Sequence, residues 1–179
     1  AFAAGAAYGD PIEREAEVVR RDVANGDISR AAALDIFRVV LVGEDDDLAV
    51  DGPATEALRR QAIVERLGRP PRVPARRAAV VRRVTEYLDL VAVRERPHLA
   101  CARCGHPLCP AKENYKTHAL RIDRPIQASN PLIGDPQRFI DDPVAFRQFY
   151  CPECGGLIEN EVSRAHDPLL WDIQLALEE

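Results

Sequence analysis

Between Asp10 and Gly26 the apolar residues Ile12, Ala16, Val19 and Val23 recur at three- and four-residue spacing, the pattern of one helical face. Asp10 is placed to cap the free amides, Pro11 suits the first helical position, Glu13 lies three residues past the cap, and Gly26 ends the run. Ser29 caps a second helix over Arg30 to Ile36. The pattern then changes. Phe37, Val39, Val40, Leu41 and Val42 form a strand-like run halted by Gly43 and Asp45 to Asp47, with a hairpin return through Leu48 to Val50. Pro53 opens a third helix carrying Ala54, Ala57, Leu58 and Ala62 on one side and closing at Gly68. Its apolar residues are small.

Past Gly68 the helical period disappears. Pro70, Pro71 and Pro74 lie among Arg69, Arg72, Arg76 and Arg77, a composition that favours an extended, semi-rigid connection. Tyr87 to Val93 alternates as a strand does, and a second strand around His98 to Ala100 runs into a cysteine pair. His118 to Ile122 reads as another strand, Asp142 and Pro143 as the start of a short helix, and Phe146 to Tyr150 as a strand leading to a second cysteine pair. The predicted fold is α+β: a helical arm with a short hairpin over residues 1–68, a Pro/Arg-rich connector over 69–85, and a small β-rich, zinc-ribbon-like module over 86–179.

Composition narrows this reading. With 179 residues, 46% hydrophobic and 30% charged, the chain falls among folded proteins and away from disordered or membrane classes. Aromatics make up only 6% and prolines number 14, which predicts a small core with much surface buried against something else. The formal charge of −5 argues against a dedicated nucleic-acid binder. Its distribution is uneven: residues 1–68 carry 8 basic against 14 acidic side chains, 69–100 carry 8 against 3, and 101–179 carry 8 against 12. The arginine-rich middle lacks interleaved aromatics and reads as a docking stretch for an acidic neighbour subunit rather than for RNA.

The chemistry concentrates in the cysteines. Cys101-Ala-Arg-Cys104-Gly-His-Pro-Leu and Cys151-Pro-Glu-Cys154-Gly-Gly-Leu-Ile share one layout, a CxxC followed by glycine and soon by an apolar residue. Two thiolates three positions apart reach one ion from a tight turn, and the glycine lets the backbone turn while its amides point toward sulfur. Two such turns complete a four-sulfur shell of Cys101, Cys104, Cys151 and Cys154, predicted to hold structural zinc with no position left for substrate. Cys109 is the spare thiol, and it or His106 can replace Cys101 if the first turn winds differently. Five cysteines, odd in number, with no basic and apolar leader ahead of them, fit a reduced cytoplasmic setting.

Other signals carry less. Asp45, Asp46 and Asp47 point in different directions and read as a solvated loop. His98, His118 and His166 are scattered singles. No phosphate loop, nucleophile elbow or open zinc site is present, so no residue is assigned a catalytic or cofactor-binding role.

The stretch CGHPLCPAKENYKTHALRI, then FYCPECGGLIENEV and the ending DPLLWDIQL, resembles the gamma subunits of acetone carboxylase and related ketone carboxylases, acetophenone carboxylase among them, over residues 86–177. A second resemblance, in YGDPIEREAEVVRRDVANGDISRAAALDIFRVVL, is to the carboxyl-terminal end of hydantoinase B-type subunits and covers residues 5–67. Together they imply a non-catalytic structural subunit of a cytoplasmic, hetero-oligomeric, ATP-dependent carboxylase. They also imply large hydantoinase A-like and hydantoinase B-like partners that hold ATP, Mg2+ or Mn2+ and the substrate. The rival reading is a free-standing zinc-ribbon module that binds nucleic acid or a regulatory protein.

Overall fold

The computed structural model of the protein describes residues 9–75, 77–129 and 133–176. The AFAAGAA start and Arg76 lie outside the described residues. The chain divides into two compact units, Ala1–Pro70 and Pro71–Glu179.

In the first unit, α1 (Ala16–Ala24) and α2 (Arg30–Asp35) precede a two-stranded ribbon of β1 (Leu41–Val42) and β2 (Ala49–Val50), and α3 (Gly52–Leu67) follows. The single helix expected from Asp10 is broken in two. Asp10 accepts a hydrogen bond from the Ile12 amide at 3.3 Å and caps only a 3-10 turn, Pro11–Glu13, after which Arg14 is extended. Tertiary bonds hold that break: the Arg59 guanidinium donates to the Arg14 carbonyl at 2.6 Å, and the Arg14 guanidinium lies 5.3 Å over the Phe37 ring. Asp10 itself is buried against Arg66 of α3, the Arg66 Nη2 donating to Oδ1 at 2.9 Å.

Ser29 caps α2 by accepting from the Ala32 amide at 3.0 Å, and Gly26, with φ of 78°, follows α1 as its spacing predicted. The apolar run from Phe37 is strand only at its end. Arg38 adopts φ of 53°, and Val40 bonds instead to α3, donating to Thr55 Oγ1 at 3.0 Å and accepting from the Asp51 amide at 2.9 Å. Alternation survives without a full ladder, so Phe37, Val39 and Leu41 point inward and join Val19 and Ala33 in the unit's core. Asp51 caps α3, and Gly68 closes it in the left-handed conformation at φ of 66°.

The second unit consists of two antiparallel sheets. One has the order β3 (Val80–Arg83), β4 (Leu88–Val93), β5 (Arg96–Cys101), β6 (Pro107–Pro110). The other is β7 (Leu120–Pro125), β8 (Val144–Tyr150), β9 (Leu157–Arg164). Val80–Arg83, within the stretch whose composition suggested an extended connection, pairs with β4. Asp142 and Pro143 start no helix; the Ala165 amide donates to the Pro143 carbonyl at 2.8 Å, continuing the β8–β9 ladder outward. Ladder partners at Val144 and Ala145 outweigh the helix-start preference of the Asp-Pro pair. No helix among the described residues is long and apolar enough to cross a membrane.

Candidate metal centre

The two CxxCG turns are the connections of two hairpins, β5–β6 and β8–β9, one from each sheet. They are wound alike. In the first, the Cys101 amide donates to the His106 carbonyl at 2.9 Å and the Gly105 amide to the Cys101 carbonyl at 2.7 Å. In the second, Cys151 donates to Gly156 and Gly155 to Cys151, both at 2.9 Å. Gly105 and Gly155 hold φ of 78° and 71°, where a side chain is strained.

All four sulfurs are buried and lie within 4.8 Å of one another. The cross-turn separations are 3.8 Å for Cys101 to Cys154 and 3.7 Å for Cys104 to Cys151. A tetrahedron with metal–sulfur bonds of about 2.3 Å has edges of about 3.8 Å, so the donor set fits one mononuclear ion. A polynuclear iron–sulfur cluster distributes its cysteines over several iron atoms and spreads the sulfurs further. The neighbouring sulfurs of Cys104, Cys151 and Cys154 draw the Cys101 thiol well below its usual value, which favours the thiolate form that binds a metal.

The basic segment ahead of β3 lies along both turns. The Arg72 amide donates to the Glu153 carbonyl at 2.8 Å, and Arg77 Nη2 donates to the Arg103 carbonyl at 2.5 Å. A Cβ on Gly105 would stand 2.7 Å from Arg77 Cγ, and one on Gly156 would stand 2.2 Å from Arg103 Nη1. Each turn is therefore shaped around an arginine side chain as well as around its sulfurs.

Cys109 lies on β6, outside the four-sulfur cluster, with its thiol 3.9 Å from the Glu113 carbonyl; burial pushes that thiol up to about 11. His106 contributes its backbone carbonyl to the first turn. His98 bonds the Arg96 carbonyl, His118 pairs with Glu113 at 2.8 Å, and His166 is exposed. Asp45 to Asp47 form an exposed 3-10 turn and belong to no candidate metal cluster among the described residues.

Sequence reasoning missed a second buried array beside the sulfurs. Lys116 and Arg147, 2% and 1% exposed at their side chains, both pair with Glu161, at 3.0 and 2.8 Å. Lys116 also reaches Asp172 at 3.3 Å and sits 5.4 Å over the Phe149 ring. Burial works to raise the Glu161 carboxyl, yet hydrogen bonds from Lys116 and Arg147 hold it below the ordinary value. Burial, reinforced by Asp172, pushes the Tyr115 hydroxyl up, and that hydroxyl donates to Asp172 at 3.1 Å.

This array clamps the end of the chain. Arg147 Nη2 donates to the carbonyls of Arg164, Ala165 and Asp167, Glu161 accepts from the Leu170 amide, and Asn114 donates to the Leu170 carbonyl. Ile173 and Leu175 consequently pack on the apolar cluster that contains the cysteines. The KENYK and DPLLWDI stretches, 50 or more residues apart, are thus the two sides of one lock. A lysine and a tyrosine next to one another in a Gly-poor segment were the available signal; their partners were not, because each lies 45 to 57 positions away.

The same residues carry the likeness to known proteins. Residues 80–179, from β3 through the clamped tail, match the sequence profile described as acetone carboxylase gamma subunit. The acetophenone carboxylase beta subunit of Aromatoleum aromaticum is 37% identical over 99 residues, which span 54% of this chain and 75% of that relative. With more than half its length matched, and with paired cysteine turns and a locked tail inside the matched region, the chain belongs to the acetone carboxylase gamma subunit family.

Proposed function

We propose that this chain is a non-catalytic assembly subunit of an ATP-dependent ketone carboxylase, of the acetone or acetophenone carboxylase type, and that Cys101, Cys104, Cys151 and Cys154 hold one structural zinc ion. The observation that carries the reading is the convergence of four buried sulfurs, two from each sheet, on one tetrahedral centre. Zinc there ties two hairpins that share no backbone ladder. Four thiolates fill its shell and leave no vertex for water or ketone, so the site builds shape rather than turnover.

The family and the relative named above are described as subunits of carboxylases, which supports a place in a larger assembly. In that assembly, nucleotide, Mg2+ or Mn2+ and substrate belong to large hydantoinase A-like and hydantoinase B-like partners, and residues 1–68 act as an arm that stands in for a hydantoinase B-type tail. Five reduced cysteines suit a cytoplasmic setting.

The test is purification of the intact assembly followed by metal analysis. One zinc per copy of this chain is expected, with large subunits co-purifying, and Cys151→Ser is expected to lose both. Iron in place of zinc, or a Cys151→Ser chain that keeps its metal and partners, would overturn the assignment.

A further inference from the structure

In the second unit β3, β6, β7 and β9 lie at sheet edges, and among the described residues β3 is the edge strand whose residues are all exposed. Strand β6 begins and ends with proline, Pro107 and Pro110, which offer no N–H to an incoming strand. On β7, Arg121 and Asp123 pair with each other. Strand β9 runs into the tail that Arg147 and Glu161 clamp. Strand β3 differs: all four residues are exposed, and Val80 and Val81 are 57% and 65% exposed. The ladder with β4 shifts register between Val80 and Arg82.

Cations flank these valines. Arg82 lies on the strand itself. Arg94 and Arg96 lie at the tip of the β4–β5 hairpin, at the Val80 end of the sheet. None of the three has a carboxylate partner among the described residues, whereas Arg83 bonds Asp89 at 2.5 Å. At the hairpin tip Arg94 and Glu95 hold φ of 49° and 66°, a conformation that asparagine and glycine enter with less strain. The tip presents charged side chains at a conformational cost.

We propose that this edge accepts an extended acidic segment of a large partner subunit, by strand addition to Val80–Arg83. Apolar residues of that segment cover Val80 and Val81, and its carboxylates meet Arg82, Arg94 and Arg96. The inference rests on the reading of the chain as a carboxylase subunit. A second copy of this chain fits worse, because pairing two β3 strands gathers Arg82 and Arg83 of both copies on one ribbon. Nucleic acid also fits worse, because the strand offers valines where stacking requires aromatic rings.

The test measures amide hydrogen exchange over residues 79–84 in the isolated full chain and in the co-purified assembly, alongside the charge reversal R82E/R94E/R96E. Exchange slowed by about tenfold or more in the assembly is expected. The reversal is expected to cut recovery of the large subunits by about tenfold while zinc content stays unchanged, and wild-type recovery is expected to weaken as salt rises. Arg138→Glu, on an exposed turn in the connection between β7 and β8, serves as the control that leaves recovery unchanged.

If the large subunits co-purify but these amides exchange equally in both samples, the edge proposal fails and the subunit reading stands. If no large subunit accompanies the wild-type chain, both fall. Slow exchange already present in the isolated chain means that the chain covers its own edge, which overturns the proposal. Nucleic acid that co-purifies and is lost on charge reversal overturns it as well.

Discussion

The two units of this chain hold themselves together by different means. The core of the first is hydrocarbon from periodic positions, Val19, Ala33, Phe37, Val39 and Leu41, edged by capped helices and by the Asp10–Arg66 pair. Among the described residues, the buried cluster around the turns of the second has twelve members, five of them cysteines, and its neighbouring polar array buries two cations with the carboxylate they share. Hydrocarbon gains by leaving water whatever its exact partners. Charges do so only beside a counter-charge, and four converging thiolates only around a metal, so the second unit is conditional on a metal that the first does not need.

Metal removal should separate the units most sharply. Chelation or Cys151→Ser is expected to unfold residues 71–179 while helical circular dichroism from the first unit persists. Zinc binding worth about 10 to 16 kcal/mol matches or exceeds a typical domain's net stability. Loss of both signals in one transition would mean that the units are not independent. Next in size, Glu161→Gln leaves Lys116 and Arg147 short of one buried carboxylate and is expected to cost about 3 to 5 kcal/mol in denaturant melts of the second unit. The clamped tail should then exchange its amides faster, Leu170 first, since its amide donates to Glu161. In the first unit, Asp10→Ala removes a cap and the partner of Arg66, with an expected cost of about 2 kcal/mol and no effect on zinc content.

The smallest effect is a pH dependence at Cys109. Burial raises its thiol from 9.0 to about 11, so the folded chain keeps a proton that the unfolded chain has released. Between those values the native state binds more protons, and stability falls as pH rises. The contribution is complete below pH 9 and is lost as pH passes about 11. Its size is on the order of 1 to 2 kcal/mol. Melts of wild type against Cys109→Ala from pH 8 upward should converge, and a difference that stays constant with pH would refute the burial argument.

Much of this architecture was readable residue by residue. The Ser29 cap, the Gly26 and Gly68 stops, the strands leading to both cysteine pairs and the matched CxxCG turns follow from contacts spanning a few positions. The errors share a cause. The break after Glu13, the shortening of the Phe37 run and the strand where Asp142 and Pro143 suggested a helix are imposed by Arg59, Thr55 and β9, partners 15 to 45 positions away or across a ladder.

The sequence alone determined that two turns of identical chemistry would each present a pair of thiolates, because turn geometry depends on local spacing and on glycine's freedom at positive φ. Only the tertiary structure decided that these turns face each other, that Lys116, Arg147 and Glu161 bury their charges together, and that β3 lies at an open edge. Burial of a charge is tolerable only beside its partner, and which partner arrives is fixed by how the two sheets close, a long-range outcome that no local pattern encodes.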